Sequence, residues 1–169
     1  MKHAAVAVVF DKSKTKVLLV KRKDVPVWVL PGGGVDTDET AEEAVLREVW
    51  EETGLRVNIV KKIANYTPIN ALAEPTSLFE CTVLDGTIRK NSEAADVGFR
   101  PLESTTTLLF SIHQEWLQDA KLFSPITLNK KLESVTYFNL FCYLVKHPLQ
   151  VLRFAITRMN ICVHKSDQR

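Results

Sequence analysis

The sequence predicts an α/β sandwich in which helices cover a mixed sheet. Three observations carry this. Short runs rich in Val and Leu are separated by polar turns. One amphipathic helix follows a glycine-rich loop. The element order is strands, loop, helix, strands, helices, the alternation that packs helices onto a sheet.

Ala4–Phe10 and Lys16–Lys21 read as a strand pair around the polar stretch Asp11–Thr15. Val27–Leu30 is a short apolar run that stops at Pro31-Gly32-Gly33-Gly34, which reads as a loop. Helix-start chemistry begins at Asp36–Glu39, with Asp36 or Thr37 as the cap and acidic residues in the first turn. The helical pattern runs to Thr53, and Gly54 supplies the stop. Arg56–Asn65 and Ser77–Leu84 read as strands, with Asp85-Gly86 as a turn. Val97–Arg100 adds another strand, and Glu103–Leu109 and Ile112–Ala120 add short helices.

Bulk properties narrow the class. Of the 169 residues, 46% are hydrophobic, enough for a real core. The net charge of +2 is too small to argue for nucleic acid. Its distribution is uneven. From Pro125 onward seven Lys or Arg face only Glu133 and Asp167, a charge of +5, so residues 1–124 carry −3. The expected division is therefore one domain at 1–124 and a basic, amphipathic helical extension at 125–169. Leu132–Met159 reads as helix, interrupted near Pro148. Such a tail fits three roles: covering its own domain, completing a homodimer through its helices, or lying on a membrane surface.

Cys81, Cys142 and Cys162 are odd in number and lack C-x-x-C spacing, so inert thiols in a reducing compartment are expected. No signal-peptide pattern and no stretch of roughly 18 apolar residues is found, which reads as cytoplasmic. His3, His113, His147 and His164 show no metal spacing and receive no role.

The chemistry lies on the central helix. With Ala41 at zero and about 100° per residue, Ala44, Val45 and Val49 form the buried stripe at about 300°, 40° and 80°. Glu48 and Glu52 fall inside that stripe at about 340° and 20°. Arg47 and Glu51 lie on its edge, and Trp50 lies opposite at about 180°, as a helix–sheet or interface contact. Burying unpaired carboxylates is costly. Two readings resolve the conflict. One is a solvated acidic helix with an Arg47–Glu51 pair. The other is a hard-cation site, where oxygen ligands favour magnesium, manganese or calcium over zinc.

Gly33, Glu39, then Arg47-Glu48-Val49-Trp50-Glu51-Glu52-Thr53-Gly54-Leu55 resembles the Nudix box: nine defining positions across 23 residues. Arg22 and Trp28-Val29-Leu30-Pro31-Gly32-Gly33 resemble the lead-in of many members, and the likeness covers roughly residues 3–120. The resemblance implies a Nudix α/β/α sandwich, MutT-like, that cleaves nucleoside diphosphates linked to another moiety, with magnesium as cofactor and manganese as its substitute. By position it implies Glu48, Glu51 and Glu52 as metal-binding and catalytic carboxylates, the Gly33 carbonyl as a further ligand, Arg47 as their orienter and Glu39 as support for the loop–helix junction. Glu51 or Glu52 is the first choice of general base. Glu93 lies where some relatives place a remote acid, though a solvated loop residue would look the same.

Outside the box, Arg22 reads as a phosphate contact or a surface arginine. Trp28 and Tyr66 read as base-stacking residues or as core. The box leaves the leaving group open. Pro68 fits loosely an ADP-ribose signature and Tyr66 stands too near for a dinucleoside polyphosphate signature. An ADP-ribose or nucleotide-sugar compound ranks level with a nucleoside triphosphate. The expected partner is a small nucleotide, with a non-catalytic Nudix-like binding module as the alternative.

Overall fold

The computed structural model describes residues 2–25 and 27–137. Eight strands and three helices occur among them: β1 (Ala4–Phe10), β2 (Lys16–Arg22), β3 (Trp28–Val29), β4 (Gly32–Gly34), α1 (Ala41–Thr53), β5 (Leu55–Pro68), β6 (Thr76–Gly86), β7 (Ala94–Pro101), α2 (Leu102–Leu108), α3 (Ser111–Lys121) and β8 (Leu128–Leu132). The strands form one sheet in the order β3-β2-β1-β6-β5-β8, with β4 added to β1 and β7 to β2. β1–β6 and β5–β8 are parallel and the other pairs antiparallel, so the sheet is mixed, as expected.

Strand periodicity sorts β1 between two cores. Ala5, Ala7 and Val9 face Ala44, Val45 and Val49 of α1, together with Phe79 and Cys81. Val6, Val8 and Phe10 face the other way, toward Trp28, Leu30, Tyr66, Trp116 and Leu117. Helices thus cover both faces, which is the α/β/α arrangement. Cys81 is a free, buried thiol whose pKa burial pushes up to about 12, consistent with an inert thiol.

Several local expectations change. Gly32–Gly34 is a strand, not a loop, paired with Ala4–Val6. The helix cap is Thr40 rather than Asp36 or Thr37. Thr40 and Glu43 form a reciprocal capping box, which satisfies two end donors at once. Gly54 ends the helix with a left-handed φ of 75°, which favours glycine. Asp85-Gly86 completes β6 opposite Arg56 and Leu55, rather than forming a tight turn. Trp50 is 44% exposed, with the Arg89 guanidinium over its ring, so it is no sheet contact.

Residues 128–132 form a strand parallel to β5, so the sheet reaches past residue 124 and Leu132 ends a strand instead of opening a helix. The expected helix lies, beyond its first residues, outside the described part, as do Cys142 and Cys162. Among the described residues no helix is long and apolar enough to cross a membrane.

Candidate functional site

The site forms where β4 runs beside α1. Arg47 is its organiser. Nε and Nη2 donate to the two carboxylate oxygens of Glu39 at 2.8 and 2.9 Å, the forked geometry a guanidinium favours. Nη1 donates to Glu48 Oε1 at 2.9 Å and, more weakly, to Glu51 Oε2 at 3.5 Å. Nη2 also donates to the Gly34 carbonyl at 3.0 Å. Arg47 thus ties the acidic segment before α1, the β4 strand and the acidic helix face together. Its hydrogen bonds to Glu39 hold that carboxyl down at about 2.

The β4 glycines allow the helix to approach. A side chain on Gly33 would place its Cβ 2.3 Å from Glu48 Oε1, so the backbone sits directly against that carboxylate. Gly32 N–H donates to Glu52 Oε2 at 3.0 Å. Glu48 and Glu52 therefore each meet one residue of β4.

Both carboxylates are half-buried and electrostatically uncomfortable. Burial raises the pKa of Glu48, which Arg47 partly offsets. Burial pushes Glu52 up to about 7. The charges of Glu48 and Glu93 add to this, while Gly32 N–H and Arg22 oppose it. Glu51 is exposed. Among the described residues no three acidic, His or Cys side chains already converge as a metal cage. Even so, the donor set fits a hard cation: two crowded, partly desolvated carboxylates beside a backbone free of side chain.

Strand pairing explains how the distant residues arrive. β2 pairs with β7, with Arg22 opposite Ala94, and Lys23 N–H donates to the Glu93 carbonyl at 3.0 Å. Arg22 and Glu93 thus stand at one end of the sheet, within electrostatic reach of Glu52. Arg22 is held by Asp24, through Nε at 2.9 Å and through Nη2. Asp24 has no sequence signal beyond the Arg-x-Asp spacing.

The two aromatic candidates belong to the core. Trp28 is 9% exposed, with the Arg100 guanidinium 4.5 Å from its ring centre. Tyr66 is 2% exposed, and its hydroxyl donates to Asp119 at 2.7 Å. A ring so enclosed cannot stack on a base. Tyr66→Phe is expected to cost about 1–3 kcal/mol of stability, because Asp119 loses a buried donor. KM should stay unchanged. A raised KM with unaltered unfolding in denaturant would restore Tyr66 to the site.

His113, without metal spacing in the sequence, instead takes a place beside the site. From the first turn of α3 it accepts the Leu30 N–H at Nδ1, 3.2 Å away.

Comparison with known proteins agrees with this geometry. A NUDIX domain model matches residues 1–123. An ADP-ribose pyrophosphatase of Methanocaldococcus jannaschii is 34% identical over 127 residues, covering 69% of this chain and 73% of that protein. A MutT-like protein of Streptomyces ambofaciens is 33% identical over 117 residues, covering 69% and 75%. A Bacillus subtilis protein named as a candidate 8-oxo-dGTP diphosphatase is 53% identical, but over only 64 residues, 38% of this chain and 42% of that one. Among solved structures, an ADP-ribose pyrophosphatase from Streptococcus suis aligns with a TM-score of 0.61 at 27% identity, covering 77% of this chain and 98% of that one.

Proposed function

The chain belongs to the NUDIX family of pyrophosphate-bond hydrolases, and we propose that it uses a divalent cation, magnesium in the first place, to hydrolyse a nucleoside diphosphate linked to a second moiety. The observation that carries this reading is the placement of Glu48 and Glu52 against the β4 backbone, with Glu52 lifted to about 7 in the protein alone. An ordinary helix has no reason to hold carboxylates there. An ADP-ribose-like compound is the first substrate class, because the activity-named relative with the longer match is an ADP-ribose pyrophosphatase. A nucleoside triphosphate is the second, on the shorter Bacillus subtilis match.

In this reading Glu48, Glu51, Glu52 and the Gly33 carbonyl hold the cation. The cation supplies positive charge that screens the diphosphate and makes the attacking water more acidic. Arg47 keeps Glu39 and Glu48 in place. Glu52 takes the water proton as general base, with Glu51 as the other candidate. Arg22 turns from Asp24 toward a substrate phosphate, where its paired donors match the oxygens. Glu93, whose charge reaches Glu52, would serve as a further cation ligand.

Binding the cation must expel the proton that Glu52 carries below about pH 7. Affinity for Mn2+ is therefore expected to rise about tenfold per pH unit below that point and to level off above it. A pH-independent affinity, followed by the signal of free Mn2+, would remove Glu52 from the ligand set. The substrate test is a phosphate-release panel with magnesium over ADP-ribose, nucleotide sugars, nucleoside triphosphates and dinucleoside polyphosphates. Metal-dependent turnover supports the enzyme, and the preferred compound names its class. Silence across the panel would favour a non-catalytic binding module.

A further inference from the structure

Leu30 and Pro31 lead into the two glycines that meet Glu48 and Glu52. Their hold on the rest of the fold decides how firmly those glycines stand. Pro31 has no N–H to give, and its carbonyl accepts from Ala7 N–H at 2.9 Å. Leu30 is buried, and its N–H donates to His113 Nδ1. That bond crosses from β4's approach to α3, in the opposite helical layer from α1. The His113 ring is itself fixed. It stands edge-on against the buried Trp116, with ring centres 4.7 Å apart and planes at 75°.

We infer that His113 is a positioning residue: by accepting the Leu30 N–H it fixes the Leu30–Gly33 segment against which Glu48 and Glu52 are set. The inference rests on the proposed reading of those carboxylates as cation holders. The choice of histidine follows from charge. An aspartate acceptor would bury a negative charge at this position, and lysine has no acceptor to offer. A neutral imidazole accepts without adding charge. Burial, helped by the charge of Arg22, holds the His113 pKa down at about 3, so the ring stays neutral with its proton on Nε2. Groups bonded directly to a metal ligand are commonly worth about 10–100-fold in affinity or activity, and His113 acts one step further back, through Leu30, so the lower end of that range applies.

The test compares His113→Phe and His113→Asn in the full chain. Phenylalanine keeps a ring against Trp116 and removes the acceptor. Asparagine presents Oδ1 near where Nδ1 stood. His113→Phe is expected to weaken Mn2+ binding, measured without substrate, by about tenfold and to lower kcat by about tenfold or more, with KM within about twofold. His113→Asn should recover both to within about threefold. Wild-type Mn2+ affinity and kcat in the phenylalanine variant would overturn the inference. So would an asparagine variant as impaired as phenylalanine, which would leave the ring packing as the whole effect. Should His113→Phe fail to fold, the 15N spectrum of the wild-type imidazole still tests the acceptor role on which the inference stands. It is expected to show the Nε2–H form unchanged between about pH 5 and pH 8. An imidazole that titrates there would overturn the inference. A wild-type protein that binds no Mn2+ and hydrolyses nothing would defeat the functional reading instead, while the spectrum would still report on His113.

Discussion

Glu52→Gln is expected to lower kcat by about 100-fold to 10,000-fold, the usual span for loss of a general base, and at the same time to stabilise the cation-free protein. The two effects share one cause. Glutamine keeps the shape of the side chain and can still accept the Gly32 N–H. It removes a charge that burial, Glu48 and Glu93 all disfavour. The native state holds the Glu52 proton up to about pH 7, whereas the unfolded chain releases it near the ordinary value of 4.5. Within that window the native state binds more protons, so stability falls as pH rises and the deficit is complete above about 7. The glutamine variant escapes this. At pH 8 in the presence of chelator its gain should be on the order of 1–2 kcal/mol, or roughly 3–6 °C in Tm. At about pH 4 the gain should vanish, because both proteins then carry a neutral group. Melting curves at the two pH values check this. A gain that is the same at both, or a loss at pH 8, would mean that Glu52 is not a strained carboxylate.

The conflict behind that strain is legible in the sequence. The helical wheel set Glu48 and Glu52 among Ala44, Val45 and Val49, and those three are buried while the two carboxylates sit half-buried at the edge of β4. The β1 alternation, the Gly54 stop and the span from Gly33 to Leu55 were equally legible, because each depends on neighbours within a few turns of chain. The misreadings share the opposite property. Asp36, Thr37 and Thr40 are all competent caps, and local chemistry does not rank them. The reciprocal bond with Glu43 selects Thr40, while Glu39 accepts the Asp36 N–H and both forks of Arg47 ahead of the helix. Three glycines carry no strand propensity, and Gly32–Gly34 becomes a strand because β1 offers it a partner edge. Three of the five residues of Leu128–Leu132 are polar, and it too is a strand only through β5 beside it. Tyr66 finds its partner 53 residues away at Asp119, and Leu30 finds His113 83 residues away. No spacing rule reaches such pairs. Tertiary hydrogen bonding, rather than propensity, decided them.

Gly33→Ala is expected to separate the site from the fold. The added methyl would stand 2.3 Å from Glu48 Oε1 and 2.5 Å from its carboxyl carbon, closer than any real contact. The atoms it meets are the far end of a side chain, so the carboxylate can swing aside while β4 stays paired with β1. The fold should therefore lose little, within about 1 kcal/mol. The carboxylate would leave its 2.9 Å bond with Arg47 and its place over the β4 backbone. A displacement of about 1 Å at such a position is enough to cost about 100-fold in rate. Mn2+ affinity should fall with it, by about 10–100-fold. Gly34→Ala is the contrast, since a Cβ there meets nothing within 4 Å, and it should cost far less. If Gly33→Ala keeps wild-type Mn2+ affinity and kcat, Glu48 does not hold the cation from the position it occupies here. If instead Gly33→Ala and Gly34→Ala fall equally, the loss comes from stiffening the β4 backbone and not from moving a ligand.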